Sequence, residues 1–400
     1  MVIPASTLSE TVVQNLLAVY DSPLYVYQGE ALRRAIRYIT RSIPYNNTAF
    51  QFATVTNGNI ALLKIFKSLG WGLHGNSPGD IYLGLKAGFS PEEIVYSGSN
   101  LNRQEMEQVL KCNITTLNLD SLSQLELCCQ VYKHLQGKMT APKLGLRLNL
   151  PSLTGKSRIG VRPQEFEKAL SIVETSGLKL QGIHFYRGTG TNSTKAFTRV
   201  IETLIETGQL LPDWNYLDFG GGFGYPYHRQ GASFDWGGFG EVLSEALHKL
   251  SRKIQLIVEP GRAVIAGCGT LLTKVVSVKW QENKQIIGVD TTVANLSVPS
   301  VHGGYREIVS WKDKTEATYP SDVCGNTTYS RDYLGKNCQL PALEVDDVIG
   351  VLDVGAYGYA MSSHFLHRPR PAEVLLEGES HKLIRQREDY SILLNNQVLT

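Results

Sequence analysis

The stretch YLDFGGGFG at residues 216–224 decides the fold of this chain. An apolar run, from Tyr216 to Phe219, breaks into three consecutive glycines and then Gly224. A buried strand that ends in glycines lets bare backbone N–H groups approach an anion, because no Cβ stands in the way. The plainer reading is a tight turn kept for packing, but three glycines in a row weaken a strand and are seldom kept for packing alone. The next apolar run, IQLIVEPGR at 254–262, ends in a carboxylate, Glu259, and a guanidinium, Arg262. The two motifs, one strand apart and in this order, predict a phosphate-anchored site at the C-terminal ends of adjacent strands.

Working outward, strand-like runs at 49–56, 72–76, 93–98, 114–119, 144–150, 180–186, 216–222 and 254–259 alternate with helical periodicity near 60–69, 78–87, 103–110, 121–134, 163–176, 193–207 and 239–250. Eight strand–helix repeats suit a (β/α)8 barrel of roughly 250 residues, whose phosphate site forms after the seventh and eighth strands. A doubly wound open sheet is the alternative, but it carries its glycine motif at the first strand, and here the motif is at the seventh. The barrel is predicted over residues 33–267. Residues 264–279 and 285–290 then turn β-rich, 291–340 read as loops, and 346–356 and 373–383 read as further strands. Residues 1–32 and 268–400 are predicted to form one β domain, to which a short strand at 23–27 contributes.

Four hundred residues exceed what one core usually spans, which agrees with two domains. With 39 basic and 37 acidic residues and no basic block, the chain lacks the electrostatic footprint of a nucleic-acid or membrane-surface binder. No apolar run reaches the ~20 residues of a bilayer span, and nothing near the N-terminus reads as an export signal, so a cytoplasmic protein is expected. The six cysteines, Cys112, Cys128, Cys129, Cys268, Cys324 and Cys338, have no metal-ligand spacing. They read as reduced thiols, and no metal is expected.

With these motifs in place, the chain resembles the alanine-racemase-like, fold-type III family of pyridoxal-phosphate (PLP) decarboxylases, with the diaminopimelate decarboxylases nearest. SPLYVYQGEALRRAI at 22–36, SRIGV at 157–161, GGGFG, EPGR, GAYG at 355–358, Met361–Ser363 and RPRPAEVLL at 368–376 carry the resemblance along nearly the whole chain. It implies PLP as cofactor, a small-molecule amino acid as substrate, a place in lysine biosynthesis and a homodimer. It implies that Gly220, Gly221, Gly222, Arg262, Tyr357 and Thr189 hold the cofactor phosphate. Glu259 would pair with the pyridine nitrogen, and Arg147 would face the cofactor. Cys324 matches the family cysteine that protonates the decarboxylated carbanion across the dimer.

The sequence departs from the family at the lysine that joins PLP covalently. The matching stretch is FATVTN at 52–57, and Val55 stands at the lysine position. An alkyl side chain forms no such bond. The nearest lysine in sequence, Lys64, lies about two and a half helical turns beyond Val55, inside the following helix. His74 replaces the family's aspartate, Tyr186 its ring-stacking histidine, and Gly325 the acid after the cysteine. The phosphate anchors are kept while the groups for covalent attachment and proton transfer are altered. Three readings follow: a decarboxylase-family enzyme with non-covalent PLP and impaired decarboxylation, a non-catalytic regulatory or binding homologue, or another reaction at the same barrel mouth.

Overall fold

The computed structural model describes residues 7–135, 139–188, 190–312 and 317–398. It divides into two units. One comprises Ile36–Tyr225 and Ala232–Val264. The other takes the N-terminal segment up to Ala35, a short stretch Pro226–Gly231, and the chain from Ile265 onward.

The first unit follows a strand β1 (Leu24–Gln28) that belongs to the second unit. Its own eight parallel strands are β2 (Thr48–Ala53), β3 (Gly72–Gly75), β4 (Ile94–Tyr96), β5 (Thr116–Leu119), β6 (Lys143–Arg147), β7 (Leu180–His184), β8 (Tyr216–Asp218) and β9 (Gln255–Val258). They close into a barrel in sequence order, and β2 pairs with β9 through Thr48↔Leu256, Ala49↔Ile257 and Phe50↔Val258. All eight predicted runs are barrel strands, but several end early. Residues 49–56 leave the sheet after Ala53, 144–150 after Arg147, and 216–222 after Asp218. Residues 54–56 and 148–150 carry β-branched or apolar side chains that continue the strand pattern, whereas 219–222 turns on glycines.

Local chemistry sets where the outer helices begin. Ser77 and Asp80 form a reciprocal capping box with Pro78 at the first helical position, and Asn102 and Glu105 form another. Asp235 accepts a hydrogen bond from the Gly238 N–H to start the helix Trp236–His248.

The barrel interior is filled across its middle by the Tyr216 ring, packed in a buried cluster with Val95 and Ile257. The two strands next to β8 on one side, β7 and β6, make room for it with glycines. A Cβ on Gly182 would lie 2.2 Å from Tyr216 Cζ, and one on Gly145 would lie 2.2 Å from its hydroxyl oxygen. Below the triple-glycine turn, Phe197 stacks on Phe223 at 4.6 Å between ring centroids, and Phe219 meets Phe239 edge-on at 5.2 Å. Burying each such ring contributes about 1.5–3 kcal/mol, so the glycine turn rests on an aromatic floor.

The second unit holds β1 with β10 (Gly269–Gln281), β11 (Lys284–Val289), β12 (Ile308–Ser310), β13 (Thr318–Cys324), β14 (Tyr333–Pro341), β15 (Val348–Leu352), β16 (Ala372–Glu377) and β17 (Ser380–Arg385) in one mixed nine-stranded sheet. β1 lies antiparallel to β10 and parallel to β16. The region 291–340 is not all loop as expected, since β12, β13 and most of β14 lie within it. Pro320 inside β13 and the largely solvent-facing residues of β14 hid the strands. A helix at Glu10–Tyr20, which sequence reading left unassigned, is capped by Ser9 and buries Val13, Leu16 and Leu17 against Leu24, Val26, Leu272 and Val374. Among the described residues no helix is long and apolar enough to cross a membrane.

A Gly182→Ala variant tests the Tyr216 arrangement. The added methyl has no room against a fully buried ring, so unfolding stability should fall by about 1–3 kcal/mol, the usual cost of overpacking. Urea unfolding reads it, and an unchanged midpoint would show that the ring does not cross the barrel this way.

Candidate functional site

Above the Tyr216 layer, the C-terminal ends of the barrel strands carry a buried polar layer. Tyr216 donates its hydroxyl to Asn118 Oδ1 at 2.9 Å. The Asn118 amide then donates to Asp218 Oδ2 at 2.7 Å and to Ser97 Oγ at 3.1 Å. The Gly220 N–H donates to the other Asp218 oxygen at 3.0 Å. Asp218 is therefore held on both oxygens by groups that are themselves fixed.

Glu259, one residue beyond β9, lies between two imidazoles. His74 Nε2 is 3.4 Å from its Oε1, and His184 Nε2 is 3.5 Å from its Oε2. All three side chains are buried, and among the described residues neither ring nitrogen of His74 or His184 has a hydrogen-bond partner, nor does Glu259 Oε1. Burial sets the charges here. It pushes Glu259 up to about 7, against a hydrogen bond with Asp218 and the Arg147 charge that both pull it down. It raises Asp218 well above the usual carboxylate range, helped by the Glu259 charge. Two carboxylates in hydrogen-bond contact away from water hold one proton between them. Burial likewise lowers His184 to about 4 and His74 well below the usual imidazole value, so both rings are neutral at neutral pH.

Arg147 ends β6, and its guanidinium lies over the Tyr186 ring at 5.1 Å. Tyr186 itself is close to the glycine turn, since a Cβ on Gly222 would come 3.5 Å from its Cε2. Gly220 and Gly222 have φ of 66° and 92°, a conformation that glycine adopts without strain. A Cβ on Gly221 would stand 2.7 Å from the Glu259 carbonyl oxygen, so the two predicted motifs pack backbone to backbone. Arg262 begins the short helix Arg262–Ile265, with Nε 3.3 Å from the Cβ position of Gly190 in the loop after β7.

One expected role is corrected. The Gly220 N–H donates to the Asp218 carboxylate, so it does not face outward to a phosphate as expected with Gly221, Gly222 and Arg262. Thr189 lies outside the described residues. Cys324 ends β13 and Tyr357 follows β15, both in the second unit. The Cys324 thiol is half-buried and raised by that burial, with Asp322 and Asp332 adding to the shift. Gly325 is explained by Asp332. A Cβ there would meet Asp332 Oδ1 at 2.2 Å, and this carboxylate accepts from Thr292, Thr327 and the Val293 N–H. The space beside residue 325 is already filled by an acid from further along the chain.

Val55 is the middle residue of a 3-10 turn, Thr54–Thr56, directly after β2, and is 45% exposed. The turn is regular: Thr56 Oγ1 donates to the Ala53 carbonyl, and Asn57 and Asn59 cap the next helix, Ile60–Ser68. Lys64 is exposed on that helix, away from the buried layer. His184, Asp218, Asn118 and Tyr216 were not singled out in sequence. Their signal was a polar residue interrupting or ending an apolar strand run, which three of the four share.

The donor set fits PLP. A buried carboxylate oxygen without a partner suits a protonated pyridine nitrogen, and a glycine turn beside an arginine suits a phosphate.

A family model described as "pyridoxal-dependent decarboxylase, pyridoxal binding domain" matches residues 30–266. The diaminopimelate decarboxylase of Methanothermobacter thermautotrophicus is 31% identical, over 94% of this chain and 92% of its own length. That of Aquifex aeolicus is 30% identical, over 95% and 93%. The structure of Helicobacter pylori diaminopimelate decarboxylase complexed with L-lysine superposes with a TM-score of 0.85 at 28% identity, covering 96% of this chain and 98% of that one. A barrel whose seventh and eighth strands carry the glycine turn and the buried Glu259, and whose likeness to these enzymes runs nearly end to end, belongs to the pyridoxal-dependent decarboxylase family, whose cofactor is PLP.

Proposed function

We propose that this chain holds PLP without a covalent bond and takes a small amino acid at the barrel mouth, with decarboxylation impaired. The observation that carries this reading is Val55, an alkyl side chain on an ordered turn at the position of the family's lysine.

When bound, PLP supplies an electron sink for charge released at the substrate α-carbon. The chain's own groups do the rest. Glu259 would accept the pyridine N–H and so keep the ring protonated, with the proton it shares with Asp218 remaining on Asp218. His74 and His184, kept neutral by burial, flank Glu259 without competing as cations. Gly221, Gly222 and Arg262 bind the phosphate, and Arg147 adds a positive charge over Tyr186. The Cys324 thiol, protonated at neutral pH because burial raises it, is the proton donor in this reading. With Tyr357 it makes a homodimer part of the proposal. The relatives named above act on diaminopimelate, and an amino acid of that class is the substrate we propose. A non-catalytic binding homologue is the second reading, favoured by Val55 together with the outward position of Lys64.

Two variants check the reading. The parent protein incubated with PLP and reduced with borohydride should show no mass increase, whereas Val55→Lys should gain one PLP per chain, with little decarboxylation. A trapped adduct on a lysine of the parent would overturn the proposal. Arg262→Ala should weaken PLP binding about 10- to 100-fold, since a charge-assisted hydrogen bond contributes about 1.5–3 kcal/mol. A spectral titration reads the affinity, and equal affinity would remove Arg262 from the phosphate site.

A further inference from the structure

The buried layer combines two features that a cofactor-free barrel leaves unresolved. His184, Asp218 and Glu259 each offer one atom within 4.8 Å of the others, all from buried side chains. Both nitrogens of His184 and of the adjacent His74 lack hydrogen-bond partners, as does Glu259 Oε1. Buried polar groups without partners cost free energy, so the layer is organised to receive something that accepts lone pairs.

We propose that, in the absence of PLP, His184, Asp218 and Glu259 bind a zinc-type divalent cation, with His74 poised as a fourth ligand, so that metal and cofactor are alternative occupants of one site. Zinc bonds of roughly 2.0–2.2 Å place tetrahedral ligands about 3.3–3.6 Å apart. The separation of His184 Nε2 from Glu259 Oε2, 3.5 Å, falls in that interval, and His74 Nε2 lies 3.4 Å from the other glutamate oxygen, Oε1. Imidazole with carboxylate selects zinc and its first-row neighbours, whereas magnesium and calcium require more oxygens than this layer holds. The outer support a metal site needs is also in place. Asn118 and the Gly220 N–H orient Asp218, and Tyr216 and Ser97 fix Asn118. The Arg147 charge opposes a dication, and the two carboxylates offset it, the metal displacing the proton they share.

Exclusion of PLP rests on the function proposed above, because Glu259 cannot ligate a metal and accept the pyridine N–H at once. Metal binding itself does not rest on it.

The test uses the full-length protein stripped of PLP and metal. Titration with Co2+ should produce the intense visible bands of a four-coordinate ion, and dialysis against Zn2+ should leave one metal per chain. Glu259→Gln and Asp218→Asn, which keep the side-chain shape, should each weaken Zn2+ binding at least tenfold. A parent that retains no stoichiometric metal, or metal binding unaffected by both variants, overturns the site. Protein preloaded with Zn2+ and freed of excess metal is then titrated with PLP and followed by absorbance. Slower or weaker PLP uptake than by the metal-free protein supports exclusion. Equal uptake overturns exclusion while the Co2+ result stands. No PLP uptake by the metal-free protein overturns the proposed function instead, and with it the exclusion clause, and leaves the metal site judged by its own readout.

Discussion

The hydrogen bond from the Tyr216 hydroxyl to Asn118 is the contact on which the site depends. Below it the ring closes the barrel interior, in space left by Gly145 and Gly182. Above it Asn118 turns its amide to Asp218, and Asp218 fixes the Gly220 N–H and the start of the glycine turn. A single buried side chain thus links core packing to the geometry of the glycine turn. Glu259 is held against the same turn by its backbone, whose N–H donates to the Gly220 carbonyl at 2.9 Å. Burial then decides the chemistry, since it makes the two carboxylates share a proton and leaves both histidines neutral.

The barrel was legible because parallel strands buried on both faces read as unbroken apolar runs, separated by helices of ordinary amphipathic period. The glycine turn and Glu259 were legible because their residue types are costly where they stand. Strand ends were less so. Residues 54–56 and 219–222 have strand-like neighbours, and only the three-dimensional path shows them turning away. The strands β13 and β14 escaped because an edge position and a proline mask the alternation. The polar layer was partly hidden for a different reason. His184 and Asp218 come from separate strands, and nothing in their sequence spacing shows that they meet Glu259.

The turn after β2 takes its order from its neighbours. Thr56, Asn57 and Asn59 hold its backbone, while Val55 itself is 45% exposed. At Gly325 the volume a side chain would need is filled by Asp332.

The placement of β1 carries a consequence for how the chain is made. This strand, only some two dozen residues from the start, lies inside its sheet between β10 and β16, paired with residues around 270 and 372. During synthesis it leaves the ribosome long before either neighbour exists, and the whole barrel emerges in between. Pairings so distant in sequence pay their loop-closure entropy late and fold slowly. The barrel strands pair with their immediate successors and meet no such delay until β9 closes on β2. The nascent protein consequently carries an apolar strand, Leu24, Tyr25, Val26 and Tyr27, with both edges open until β10 is made and one edge open until β16 follows.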